Sequence, residues 1–137
     1  MKYLKMINKY SPNFNIRKRT KNRIKFIILH YTGMRSEKGA LDRLTNIQSE
    51  VASHYFIKSN GKIVSLVPDL YIAWHAGISS WKTYKSLNKN SIGIEIVNPG
   101  HQFGYKNFSK KQISSAIYLI KFFSKKYKIN KKNILGH

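Results

Sequence analysis

A chain of 137 residues, 42% hydrophobic and 13% aromatic, is long enough to bury one core and too apolar to read as a disordered segment. It has no cysteine, which excludes a disulfide framework, a thiolate metal site and a cysteine nucleophile. Its 26 Lys and Arg against 5 Asp and Glu give a formal net charge of +21. These are mostly scattered lysines without an Arg-rich element, so the charge predicts non-specific adhesion to polyanions at low salt and no specific nucleic-acid recognition.

The opening "MKYLKMINKY" is basic but lacks the continuous apolar core and small-residue cleavage site of a signal peptide. No stretch approaches the ~18 apolar residues of a membrane span. The sequence therefore predicts no transmembrane segment and a cytoplasmic location, with a periplasmic or secreted one as the alternative. Residues 1–22, polar, basic and broken by Pro12, read as an extended lead-in with little regular structure. The domain is expected to occupy residues 23–137.

"RIKFIILHY" (Arg23–Tyr31) is a β-branched and aromatic run long enough for a buried strand. After Gly33, "SEKGALDRLTN" is weakly helical, with Leu41 and Leu44 three apart and Ser36 as a candidate cap. Two strand-like runs, His54–Ile57 and Lys62–Val67, flank Asn60-Gly61, the dipeptide favoured in type I′ turns, and predict a hairpin. "YIAWHAGISSWKTYKSLNKN" reads as a long loop of the kind that carries function. "SIGIEIV" (Ser91–Val97) is another strand, closed by Asn98-Pro99-Gly100. Ser109 and Gln112 fit a capping box, and Ile113, Ala116, Ile117, Ile120, Phe123 and Tyr127 predict one apolar helix face. "NILGH" reads as a last short strand. Strands mixed with helices predict an α/β fold, a mixed sheet flanked by helices.

Of the five histidines, His30 and His137 share a context: each ends an apolar run, where a strand delivers its last side chain to the rim of a sheet. Imidazoles from neighbouring strands can meet on one ion, and zinc suits nitrogen ligands. Glu95 lies between Ile94 and Ile96, and its alternation partners are Gly93 and Val97. Facing inward, it would have the raised pKa of a general base working near neutrality; facing outward, it would be an ordinary surface glutamate. "AWHAG" (Ala73–Gly77) sets Trp74 and His75 among small residues, as either a pocket wall for a sugar or peptide or aromatic packing beneath a loop.

Taken together and in this order, "ILHYTG", "ASHYFI", "GKIVSLVPDLYIAWHAGISSW", "LNKNSIGIEIVNPG" and "ILGH" resemble the N-acetylmuramoyl-L-alanine amidase type 2 family from about residue 23 to the last. These zinc amidases include AmpD-like and AmiD-like enzymes, phage T7 lysozyme and the peptidoglycan recognition proteins. The resemblance implies a mixed sheet with flanking helices and one zinc ion in an open cleft. It implies hydrolysis of the amide between N-acetylmuramic acid and L-alanine, in peptidoglycan or muropeptides. By position, His30 and His137 match the first two zinc ligands and Glu95 the catalytic glutamate. His75, with Trp74 beside it, falls in the substrate cleft, His54 supports the sheet, and His101 matches nothing. The family's third ligand and a supporting lysine follow the second histidine, beyond residue 137. The expectation is thus an amidase by lineage, with a truncated, non-catalytic peptidoglycan-binding module as the alternative.

Overall fold

A computed structural model describes residues 6–76, 86–104 and 106–136. Its elements are β1 (Met6–Asn8), β2 (Phe14–Asn15), β3 (Phe26–Tyr31), α1 (Glu37–Thr45), β4 (Tyr55–Ile57), β5 (Ile63–Ser65), β6 (Ile72–Ala73), α2 (Leu87–Asn90), β7 (Ser91–Ile96), α3 (Lys110–Tyr127) and β8 (Ile134–Gly136). Among the described residues, six strands form one sheet in the order β1-β5-β4-β7-β3-β8, and β2 pairs with β6 separately. Only the β4–β5 pairing is antiparallel within the large sheet. The central strands β3 and β7 are buried on both faces, which is why their sequences are nearly continuous apolar runs.

Side-chain alternation gives the two faces of the sheet different jobs. Ile27 of β3, Ile92, Ile94 and Ile96 of β7, and Tyr55 and Ile57 of β4 pack with Ala116, Leu119, Phe123 and Tyr127 of α3 into the main core. The other face carries Phe26, Ile28 and His30 on β3 and Ser91, Gly93 and Glu95 on β7, with α1 and the segments around β6 and α2 beyond it. Both faces of the sheet are therefore covered by apolar packing, and the second also carries the polar groups His30, Ser91 and Glu95.

α3 begins as its sequence indicates. Ser109 Oγ accepts the Gln112 N–H at 3.1 Å, and Gln112 Oε1 accepts the Ser109 N–H at 3.0 Å. Its buried stripe is displaced from the expected one. Gln112, Ala116, Leu119, Phe123 and Tyr127 face inward, whereas Ile113 and Ile117 are 48% and 46% exposed. The first inward position is taken by a polar residue because Gln112 Nε2 donates to the Val97 carbonyl at 2.8 Å, clamping the helix start to the end of β7. Ser115 likewise donates to the Gly61 carbonyl at 2.5 Å, docking the hairpin tip.

That hairpin forms, but its turn is not type I′. Only Gly61 of the Asn60-Gly61 pair takes a positive φ, 85°. The Gly61 N–H donates to Lys58 O at 2.8 Å and the Lys58 N–H to Lys62 O at 2.9 Å, the pattern of a three-residue loop with a left-handed glycine.

The segment expected as an extended lead-in carries two short strands. β1 extends the sheet beside β5, and β2 pairs with β6. Ser11, Asn13 and Arg19 are buried because their donors are spent on main-chain carbonyls. Asn13 Nδ2 donates to Val51 O at 2.7 Å and Asn46 O at 2.9 Å, and Arg19 Nη2 donates to Asp69 O at 2.8 Å. Three polar side chains of a largely exposed segment are thus interior. The expected long loop is also partly structured, since β6 and α2 lie within it.

Candidate active site

β3 and β7 run parallel with His30 opposite Glu95, and Phe56 of β4 lies opposite Glu95 on its other side. Residues in register across parallel strands point to the same face, so the His30 and Glu95 side chains emerge together near the carboxyl ends of their strands. Open α/β sheets assemble sites at that end. Burial raises the Glu95 carboxyl from 4.5 to about 8, and the Arg43 guanidinium pulls it back in part. Glu95 is half-buried on the face it shares with His30.

His75 lies just after β6, and both of its ring nitrogens are engaged. His30 Nε2 and His75 Nδ1 are 3.0 Å apart, and His75 Nε2 is 2.9 Å from Ser91 Oγ. His30, His75 and Ser91 are 7%, 6% and 0% exposed. Asn88 Oδ1 accepts the backbone N–H groups of His75 at 3.2 Å and Ala76 at 2.8 Å, anchoring the segment. Gly93 sits under the ring, where a Cβ would stand 2.4 Å from it. Along one face of β7, Ser91 holds His75, Gly93 makes room for it, and Glu95 stands beside His30. The His75 ring, expected in a substrate cleft, is buried and turned toward His30. Trp74 is half-buried, with Nε1 donating to Asn15 Oδ1 at 2.6 Å.

His54, immediately before β4, supports the sheet as expected. Its Nδ1 accepts the Gly93 N–H at 3.0 Å, and its own backbone N–H donates to Gly93 O at 2.9 Å. Since Nδ1 accepts, Nε2 carries the proton and donates to the Tyr71 carbonyl at 2.8 Å. Burial, reinforced by the Arg19 guanidinium, lowers the His54 pKa to about 3, so the ring stays neutral.

His137 lies outside the described residues, as does His101 in respect of its side chain. Among the described residues there is no group of three His, Asp or Glu side chains that could hold a metal ion. No helix among them is long and apolar enough to cross a membrane. Beyond the ends of β3 and β7 a cavity of about 340 Å³ is lined by residues that include Met34, Arg35, Asn98 and Lys106. Sequence reasoning passed over Ser91 and Asn88, and it noted Gly93 only as an alternation partner. The usable signal was the two-residue period 91-93-95 within "SIGIEIV".

The chain is similar in sequence and fold to known proteins. The Amidase_2 family model, described as N-acetylmuramoyl-L-alanine amidase, matches residues 20–137. AmiD of Escherichia coli (strain K12), an N-acetylmuramoyl-L-alanine amidase, is 39% identical over 127 residues, covering 84% of this chain and 45% of AmiD. AmpD of Haemophilus influenzae, a 1,6-anhydro-N-acetylmuramyl-L-alanine amidase, is 30% identical over 145 residues, covering 93% of this chain and 76% of AmpD. The solved E. coli AmiD, in complex with anhydro-N-acetylmuramic acid-L-Ala-D-gamma-Glu-L-Lys, superposes with a TM-score of 0.74 at 37% identity over 84% of this chain and 48% of that one. Pseudomonas aeruginosa AmpDh3, in complex with anhydromuramic pentapeptide, gives 0.77 at 29% identity over 89% and 52%. The chain thus spans about half the length of AmiD and AmpDh3 and three quarters of AmpD. With the family match running from Thr20 to the last residue, and the sheet that carries His30 and Glu95 shared with these enzymes, the chain belongs to the Amidase_2 family of N-acetylmuramoyl-L-alanine amidases.

Proposed function

We propose that this chain is a zinc-dependent N-acetylmuramoyl-L-alanine amidase that hydrolyses the amide between N-acetylmuramic acid and L-alanine in peptidoglycan or its muropeptide fragments. The observation that carries the reading is the in-register pair of His30 and Glu95 on one sheet face, within a chain of this family. The muropeptides bound to AmiD and AmpDh3 support the substrate class.

His30 and His137 are the zinc ligands we assign. His137 follows Gly136, which is in register with Leu29, and His30 follows Leu29. The donor chemistry around His30 suits a metal ligand, because its ring is held through one nitrogen by a second buried side chain. Zinc, when bound, lowers the pKa of water to ~7 and polarises a carbonyl. Glu95 takes a proton from the attacking water and passes it to the leaving L-alanine amine. Its raised pKa makes it a strong enough base to accept that proton, and the nearby positive charge of a bound metal would draw the pKa back toward neutrality. The half-buried Trp74 offers one flank to the sugar or peptide.

The test is incubation of the purified chain with zinc and a muramyl-peptide, with mass spectrometry for released stem peptide and Glu95→Ala as control. Release that the substitution abolishes is the expected result. A folded chain that binds the muropeptide and releases nothing would replace the reading with a non-catalytic peptidoglycan-binding module.

A further inference from the structure

Four groups run in a line through the interior from α2 to the rim of β3: the Leu87 carbonyl, the Ser91 hydroxyl, the His75 imidazole and the His30 imidazole. The links measure 2.5 Å, 2.9 Å and 3.0 Å. Each link dictates the direction of the next. A carbonyl can only accept, so the single hydroxyl proton of Ser91 goes to Leu87 O. Ser91 Oγ then meets His75 as an acceptor, and His75 Nε2 must be the donor. A neutral imidazole carries one N–H, so His75 Nδ1 accepts and His30 Nε2 donates to it. Neutral His30 has its proton on Nε2 and its lone pair on Nδ1.

We infer that Ser91 and His75 are positioning residues that lock His30 in the tautomer whose Nδ1 coordinates the metal. This rests on the reading of His30 as a zinc ligand. The surrounding structure is built for the task. Gly93 leaves the space the His75 ring fills, and Asn88 holds the backbone at His75 and Ala76. The rings of His30 and His75 are 5.2 Å apart at 76°, so they meet edge-on with His75 fixed against the sheet. A ligand histidine commonly donates its other N–H to an outer partner that sets both its tautomer and its orientation. Here that partner is a second imidazole, itself oriented by a serine whose proton is committed to main chain.

Two measurements on the 137-residue chain test this. In the zinc-free protein, long-range proton–nitrogen NMR of the histidine rings is expected to find the His30 proton on Nε2. Ser91→Ala, which removes the acceptor for His75 Nε2–H, is expected to move part of the His30 population to the Nδ1–H form. A His30 proton on Nδ1 in the unsubstituted chain overturns the inference. Zinc affinity is then measured by competition with a chelating dye. His75→Ala and Ser91→Ala are each expected to weaken binding ~10–100-fold while the amide spectrum stays folded. Unchanged affinity in both folded variants also overturns it. A chain that binds no zinc at all would defeat the metal-site reading instead, and the ring-proton measurement would still decide the relay.

Discussion

The His75 ring occupies the space that any side chain on Gly93 would need, since a Cβ there would stand 2.4 Å from it. The same glycine donates its N–H to His54 Nδ1 at 3.0 Å, so one residue of β7 is pinned by one histidine and covered by another. Gly93→Ala is expected to dislodge His75 and to cost about 1–3 kcal/mol, as overpacking of a filled interior does. A lowered urea midpoint with an unchanged slope would bear this out. An unaltered midpoint would mean that His75 can relocate without penalty.

His54 gives the fold a dependence on acid. Its pKa is lowered to about 3 by burial and by Arg19, against 6.5 for an ordinary histidine. The folded state therefore resists a proton that the unfolded chain accepts. The stability held by neutral His54 is fully present above pH 6.5 and is lost as pH falls from there toward about 3. Denaturation midpoints measured across that range should decline, and His54→Gln, which cannot titrate, should flatten the decline at some cost at neutral pH.

Asp69 ties β4 to α3. The hydroxyls of Tyr55 on β4 and Tyr127 on α3 donate to its two carboxylate oxygens at 2.5 Å and 2.7 Å, and Lys126 approaches at 3.7 Å. Burial and the neighbouring carboxylate keep both phenols protonated far above their usual range. Asp69→Ala strands two buried hydroxyls and should destabilise by about 2–6 kcal/mol, at ~1–3 kcal/mol for each group left without a partner. Tyr127→Phe removes one donor together with its need for an acceptor and should cost about 1 kcal/mol. Equal costs for the two variants would remove Asp69 from this role.

Glu95 should set activity and stability against each other. Its carboxyl is raised from 4.5 to about 8, so the folded, zinc-free chain holds the proton more tightly than the unfolded chain does. The associated stability is fully present below pH 4.5 and is lost as pH rises through about 8. Glu95→Gln should match the unsubstituted protein in thermal melts near pH 4.5 and exceed it at pH 8 and above. In the amidase assay the same substitution should lower the rate ~10²–10⁴-fold, the usual worth of a positioned general base. A Glu95→Gln variant that melts below the unsubstituted protein at pH 8 and above would show that the ionised carboxylate is supported by its surroundings.

Local chemistry made some elements legible. The capping box of α3 requires only Ser109 and Gln112 in sequence, and β3 and β7 announce themselves as apolar runs that two covered faces demand. His30 and Glu95 could be singled out because each is a polar residue placed against the pattern of its strand. The displaced stripe of α3 was not legible. Ile113 and Ile117 carry the right period, but Gln112 and Ser115 hold the inward positions through bonds to Val97 and Gly61, which are distant in sequence. The burial of Ser11, Asn13 and Arg19 was hidden for the same reason, their side chains being interior only because distant carbonyls accept from them.

The sequence by itself determined which residues could do chemistry, because residue type and strand period are written into it. It also determined the family, through the order of five short motifs along the chain. Only the tertiary structure decided which way those residues face and what they touch. Register between parallel strands set His30 beside Glu95, and the gap at Gly93 admitted His75 from a segment that pattern reading treated as loop. Ser91, an unremarked residue four positions before Glu95, is drawn into the site by a bond to that same ring. Such relationships join residues far apart in the chain, and they exist only once the sheet has closed around them.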